Sequence, residues 1–274
     1  MAQIHPTAVV DPSARLADDV TVGPYTIIEA DVTVGAGSRI GAHVTLGERL
    51  RLGCRVRVFN YACLGTASQD LKHRGEISRA EIGDDCIIRE FVTVNRGTRE
   101  GSVTRVGRGV ALLAYSHVAH ECVIEDGAIL VNGATLGGEV HIGRRATLGG
   151  LVGIHQYCRV GDYAFVGANS KVTQDVPPFL LVDGHPARPF GPNVVGLQRN
   201  GFSEEQIREI HRLYQIVFDR SRGLNDNLAY IREKHGASPI ARTILEFCRD
   251  GSRGIVRPRQ RRRMAMIPGD LQFT

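Results

Sequence analysis

The sequence predicts a parallel β-helix built of hexapeptide repeats, followed by a small α-helical C-terminal domain. Three observations carry that prediction. An aliphatic residue recurs every sixth position: from Ile4 to Val172, 26 of the 29 slots hold Ile, Leu or Val. Glycine often follows the slot, as at Gly23, Gly41, Gly83 and Gly137. A proline- and glycine-rich stretch, DVPPFLLVDGHPARPFG, then ends the repeat, and amphipathic helical patterns come after it.

A six-residue period fits neither an amphipathic helix nor simple strand alternation over this length. Three short strands joined by turns make an 18-residue triangular coil. Stacked coils cover one another's apolar edges, so such a solenoid is stable only as a stack. The repeat over 1–177 gives roughly ten coils at about 4.8 Å each. Residues 18 apart lie one above another, which places His120 beneath Gly138 and His155 above Gly137. The period fails only at Asp70, Glu76 and Glu100. Two insertions are therefore expected, SQDLKHRGEISRAE over 68–81 and RGTREGSVTR over 96–105, as loops suited to ligand contacts.

After a connector over 178–200, Ser203 and Gln206 form the pattern of a capping box before EEQIREIHRLYQIVF. A second helical pattern covers ARTILEFC, so 201–250 reads as a small helical domain. Residues 251–274 read as a basic, flexible tail.

The chain has 274 residues and a net charge of +5. Arg257, Arg259, Arg261, Arg262 and Arg263 account for that excess, so the remainder is formally balanced and a nucleic-acid reading would rest on the tail alone. The chain has no unbroken apolar run of the length a membrane span needs, and no export signal near MAQIHPTAVV. The cytoplasm is thus the expected compartment, and stable membrane insertion is unexpected. The six cysteines form no CxxC; they read as reduced core thiols, with Cys86, Cys122 and Cys158 in one column at regular spacing.

The segment YSHVAHEC carries His117 and His120 three positions apart. Val118 between them points inward, so a corner there could bring both rings to one surface. A zinc site needs at least three ligands, and His155 is nearly two coils away along the same chain, so metal binding would need a subunit contact. Acid–base chemistry needs less: one histidine to take a proton from an attacking hydroxyl, Glu121 beside it to favour the charge that develops, and a backbone N–H from LGGE for an oxyanion. Surface histidines of no chemical consequence remain the plain alternative.

The segments HPTAVVDPSA, QDLKH, IREFVTVNRGT, YSHVAHEC, LVNGATLGG, GIHQYCRVG and DVPPFLLVDGHPARPFGPNVVGL together resemble the acyl-ACP–UDP-N-acetylglucosamine O-acyltransferases, the first enzymes of lipid A biosynthesis. The match covers residues 4 to about 257. The resemblance implies a left-handed helix and a cytoplasmic homotrimer with active sites between subunits. It also implies transfer of an (R)-3-hydroxyacyl group from acyl carrier protein to the 3-hydroxyl of UDP-N-acetylglucosamine, with no metal and no cofactor beyond the carrier's phosphopantetheine. By motif, His120 is similar to the general base, Glu121 stands where the family usually has Asp, and Gly138 resembles the oxyanion donor. His117, Asp70 and Lys72 resemble sugar and nucleotide contacts, and His155 and Gln156 adjoin the nucleotide portion. Asn193 and Arg199 resemble groups near the phosphates and the carrier arm. His185 is a further contact candidate, and Ala168 resembles the residue that measures the acyl chain, where each excluded methylene is worth about 0.8 kcal/mol.

Glu139 departs from the family, which commonly has histidine after LGG. A carboxylate there could alter the acceptor, even to a 3-amino analogue of the sugar, or be neutralised by an arginine across the subunit interface. The related N-acyltransferase typically has an additional N-terminal domain, whereas this repeat starts at Ile4. A non-catalytic β-helix scaffold is the alternative of a different class.

Overall fold

A computed structural model of the chain describes residues 1–249 and 251–258. Residues 3–172 form a left-handed parallel β-helix. Its first face starts at Gln3–Ile4, its second at Val9–Val10 and its third at Arg15–Leu16. Most strands are only a dipeptide long and pair in parallel with the equivalent strand of the next coil, as Thr21↔Arg39 and Ile27↔Thr45 do. So short a strand cannot persist alone; the ladder of coil-to-coil hydrogen bonds and the shared core hold it.

The core has two inward positions per hexad. The expected aliphatic slot supplies one, including Ile28, Leu46, Leu64, Leu112 and Leu148. Two residues earlier a smaller side chain also points in: Val20, Thr26, Val32, Ser38 and Val44 are all buried. At two polar occupants of that position the hydroxyl donates to the glycine carbonyl of the next coil, Thr26 Oγ1 to Gly41 (2.7 Å) and Ser38 Oγ to Gly53 (2.9 Å). Cys86 and Cys122 occupy the same position and donate to Gly107 and Gly137. Burial pushes these thiols up, to about 11 and about 12, so they stay protonated.

The three cysteines do not share one column. Ile87–Ile88 pairs onward with Ala111–Leu112 on the first face, so Cys86 precedes a first-face strand, whereas Cys122 and Cys158 precede strands of the third face. The insertions cause this. Arg57 pairs with Ile87, where an uninterrupted repeat would offer Gly75, and Val94 pairs with Val118, where it would offer Leu112. The first insertion thus adds two hexads and the second adds one, together a whole coil. Only the stretch between them, Cys86 included, is out of step with the rest. Both leave the solenoid between a second-face strand (Cys63–Thr66, Thr93–Asn95) and a third-face strand (Arg79–Ile82, Val103–Val106), and hence from the same edge.

The glycines after the core slot are there for close approach. A Cβ on Gly35 would lie 2.6 Å from the Gly53 carbonyl carbon of the next coil, and neither residue needs a left-handed backbone. The left-handed positions come two residues later and are mostly not glycine: Tyr25, Asp31, His43, Arg49, Tyr61, Glu121 and Glu139 all have φ between +51° and +64°. Each costs about 1–2 kcal/mol in isolation. Inter-coil bonds such as His43 N–H to Pro24 O (2.9 Å) and Tyr61 N–H to Ala42 O (3.1 Å) offset it. On the edge between the first and second faces these residues form an exposed stack, Tyr25–His43–Tyr61–Phe91–Tyr115, with ring centroids 4.8–5.1 Å apart.

The stretch expected only to connect is itself structured. Leu180–Gly184 pairs in parallel with Phe165–Val166 and extends the first face, and Ala187–Pro192 folds back antiparallel on it. Helices α1 (Val194–Arg199), α2 (Glu204–Val217), α3 (Leu224–His235) and α4 (Pro239–Arg249) follow. The capping box of α2 is present, with Ser203 and Gln206 satisfying each other's backbone N–H. Helix α3, absent from the sequence reading, buries only Asn227, Leu228 and Ile231, too narrow a stripe to stand out as a period.

Residues 251–258 are not a loose tail. Ile255 and Val256 are buried, and Gly254 and Val256 bond to both sides of the Asp175 backbone. Asp175, 1 % exposed, pairs with Arg159 (2.8 Å), whose guanidinium also reaches Phe247 O in α4. Arg259, Arg261, Arg262 and Arg263, and with them the expected basic extension, lie outside the described residues.

Candidate active site

The edge that ejects both insertions carries the candidate residues in five successive coils. The first loop brings Asp70 and Lys72, and the second brings Thr98 and Arg99. The corner of His120 and Glu121 comes next, then Gly138 and Glu139, then His155 and Gln156. With the adjoining second face these border an open cleft of about 760 Å³, lined in part by Asp70, Lys72, His117, His120, His155 and Gln156.

Glu121 sits at a left-handed corner, φ +51°, with its side chain 7 % exposed. One carboxylate oxygen accepts the backbone N–H groups of Thr98 (2.8 Å) and Arg99 (3.0 Å). The other meets His120 Nδ1. Burial works against the carboxylate's charge. Hydrogen bonds from the Arg99 N–H, the Ser102 hydroxyl, His120 and the Thr98 N–H outweigh it and hold the carboxyl at about 2. An ionised Glu121 can only accept, so Nδ1 carries the proton and Nε2 presents its lone pair. Asp70 Oδ2 lies 3.8 Å from that Nε2, beyond hydrogen-bond length.

Gly138 borders the same ring. A Cβ there would lie 2.3 Å from His120 Cε1 and Nε2, so only glycine leaves room for the imidazole. The neighbouring N–H groups are engaged, Gly137 with Ile154 O and Glu139 with His120 O, but among the described residues the Gly138 N–H has no acceptor. A ring nitrogen with its lone pair and an N–H without an acceptor among the described residues are thus found where Gly138 meets the His120 ring.

His117 is half-buried on the second face, with Thr93 Oγ1 at 2.7 Å from Nδ1. Burial, and secondarily the charge of His120, lower its basicity, so it stays neutral where the imidazole of a free histidine would begin to charge. Glu139 does not point at an empty cleft: Arg99 Nη1 lies 2.9 Å from its Oε1. The arginine that neutralises it belongs to the same chain.

Other candidates lie elsewhere on this chain. His185 borders a separate cavity of about 1150 Å³ between the hairpin and α2. Asn193 is 8 % exposed and caps α1, its oxygen accepting from Gly196 N–H and its nitrogen donating to Tyr163 O, so its amide is already committed. Arg199 is exposed in the last turn of α1, and Ala168 is exposed on the aromatic-ladder edge. Sequence reasoning missed Lys171, which lines the cleft. Its signal was available, because His117, Thr135, Gly153 and Lys171 form one column in register from coil to coil. Among the described residues no group of three His, Cys, Asp or Glu side chains is placed to hold a metal ion.

Residues 13–48 match the bacterial transferase hexapeptide family model, and residues 175–256 match the model described as UDP N-acetylglucosamine O-acyltransferase, domain 2. Over 94 % of its length the chain is 51 % identical to the whole acyl-[acyl-carrier-protein]–UDP-N-acetylglucosamine O-acyltransferase of Alkalilimnicola ehrlichii. The chain belongs to this O-acyltransferase family. The corresponding enzyme of Thiobacillus denitrificans is 49 % identical over the same share. The solved UDP-N-acetylglucosamine acyltransferase of Francisella novicida superposes with a TM-score of 0.91 at 36 % identity, covering 93 % of this chain and 94 % of that one. Membership extends along the solenoid, both loops and the helical end. No helix among the described residues is long and apolar enough to cross a membrane.

Proposed function

We propose that the protein is a cytoplasmic homotrimer that transfers an (R)-3-hydroxyacyl group from acyl carrier protein to the 3-hydroxyl of UDP-N-acetylglucosamine. The observation that carries this reading is His120: its Nδ1 is held by an ionised Glu121, and its ring lies against the backbone of Gly138, whose N–H has no acceptor among the described residues.

His120 Nε2 takes the proton of the sugar hydroxyl as that oxygen attacks the thioester carbon. The carbonyl oxygen becomes an oxyanion that the Gly138 N–H stabilises. The intermediate collapses with cleavage of the carbon–sulfur bond, and the proton on His120 passes to the departing phosphopantetheine thiolate. Glu121 stabilises the transient imidazolium and fixes the tautomer. Asp70 and the neutral His117 bind the sugar. Lys72 and Lys171 offer charge to the diphosphate, with Gln156 and His155 beyond them toward the nucleotide.

The trimer reading is supported by where the remaining candidates sit. Arg199, Ala168 and His185 do not line this chain's cleft, so they would serve a site only beside a neighbouring copy. In that arrangement Arg199 meets the carrier arm and Ala168 closes the acyl groove, while Asn193 holds α1. The Arg99 partner of Glu139 removes the uncompensated charge that would have argued for an amino acceptor. The test is a transfer assay with purified protein, offering the hydroxyl sugar and its 3-amino analogue against a series of 3-hydroxyacyl carrier proteins, with mass analysis of the products. His120→Ala is expected to abolish transfer while assembly persists; turnover by that variant would refute the mechanism.

A further inference from the structure

The corner that holds His120 is closed by a ring of contacts running through two charges, the exposed Arg99 and the half-buried Glu139. The His120 imidazole meets the Glu121 carboxylate, and that carboxylate accepts the Arg99 N–H (3.0 Å). The Arg99 guanidinium meets the Glu139 carboxylate (2.9 Å), and the Glu139 N–H returns to His120 O (3.0 Å). Two coils and the second insertion are thereby tied to one imidazole.

The loop bearing Arg99 is also fastened to the loop bearing Asp70. Ser68 and Thr98 share a hydroxyl contact of 2.6 Å, Glu100 accepts the Ile77 N–H (2.8 Å), and the Ser78 hydroxyl donates to Gly97 O (2.6 Å). These bonds set the height of the loop over the edge. Its lateral seating on Glu121 comes from the two N–H donors, the Ser102 hydroxyl and the guanidinium, whose Nε lies 3.8 Å from the Glu121 oxygen.

We propose that Arg99 and Glu139 act as a paired positioning clamp, holding the 96–102 loop on Glu121 and so keeping His120 in its reactive orientation. Arg99 is 62 % exposed and Glu139 27 %, and a pair so open to water adds little to global stability. Its effect is local. Releasing it frees the N–H donors of Thr98 and Arg99 to leave the carboxylate, which then turns away from Nδ1 and supports the imidazolium less well. The two residues touch no reacting atom; they act through Glu121.

The clamp rests on His120 being the general base, and the experiment separates the two ideas. Arg99→Ala, Glu139→Ala, the double variant and His120→Ala are compared for kcat, for KM of UDP-N-acetylglucosamine, and for the pH profile of kcat. Each clamp variant is expected to lose about two- to fivefold in kcat at unchanged KM. The double variant should lose no more than either single one, because one interaction is removed once. The acid limb of kcat should move to lower pH as the imidazolium loses carboxylate support. Unchanged kcat and pH profile in the single variants, with His120→Ala inactive, would overturn the clamp alone. A rise in KM with kcat preserved would also overturn it, by making Glu139 a sugar contact. Turnover by His120→Ala would remove the general base and the clamp together.

Discussion

Gly138 is the residue at which backbone and chemistry meet. Gly138→Ala places a methyl within 2.3 Å of the His120 ring, so the imidazole must move by an ångström or more. A loss on the order of 10²-fold in kcat is expected from such a displacement. Steady-state kinetics on the assembled variant would check it. Glu121 offers a second prediction, in stability. Its folded-state pKa of about 2 lies below the ordinary 4.5, so the folded protein holds the charged form more firmly than the unfolded chain does. The resulting stabilisation, on the order of 3 kcal/mol, is complete above pH 4.5 and is lost as pH falls toward 2. Unfolding midpoints measured across that window should converge for the wild type and Glu121→Gln at the acid end. The placement of His117, His120 and Glu121 on one corner was legible in one short segment, because the local backbone positions them. The Arg99–Glu139 pair was not, since the two are far apart in sequence and meet only through a loop whose path no repeat dictates.

At the scale of the element, the hexad explains why so short a strand suffices and why glycine recurs after the core slot. The Cβ of Gly35→Ala would lie 2.6 Å from the next coil's backbone, which cannot yield as a side chain would. Thermal or denaturant unfolding should show a loss of about 1–3 kcal/mol for that single methyl. The sequence showed the slot, the glycine and both insertions. It did not show that each insertion is a whole number of hexads short of a coil, which moves the stretch between them to other faces, and so Cys86 was assigned to the wrong column. Counting by coils fails across an insertion until the register is known, although beyond Val118 the same count finds Lys171. The hairpin of 180–192 escaped notice because two of its prolines, Pro186 and Pro189, read as breakers; here they lie at or after the turn of an edge pair, where a missing N–H is tolerated.

As a whole, the molecule has unlike ends. At the N-terminal end Ile4 and Val9 are 44 % and 64 % exposed, and no coil lies beneath them among the described residues. At the other end Arg159, Asp175, α4 and residues 254–256 close the stack, and the Tyr214 hydroxyl bonds to Pro178 O (2.6 Å). Because each coil is stabilised mainly by its neighbours, opening should proceed from the uncovered end. Hydrogen exchange is expected to be fastest over residues 3–16 and slowest around 124–172, and uniform exchange along the solenoid would contradict this. The exposed ring stack gives that opening an optical signature. The chain contains no tryptophan and only seven tyrosines, of which Tyr25, Tyr61 and Tyr115 stand in the stack and Tyr157, Tyr163, Tyr214 and Tyr230 beyond it. Its near-ultraviolet dichroism is therefore written largely by two separate tyrosine groups, one along the open half and one around the capped half, and unzipping would bleach the first while the second still absorbs as folded protein.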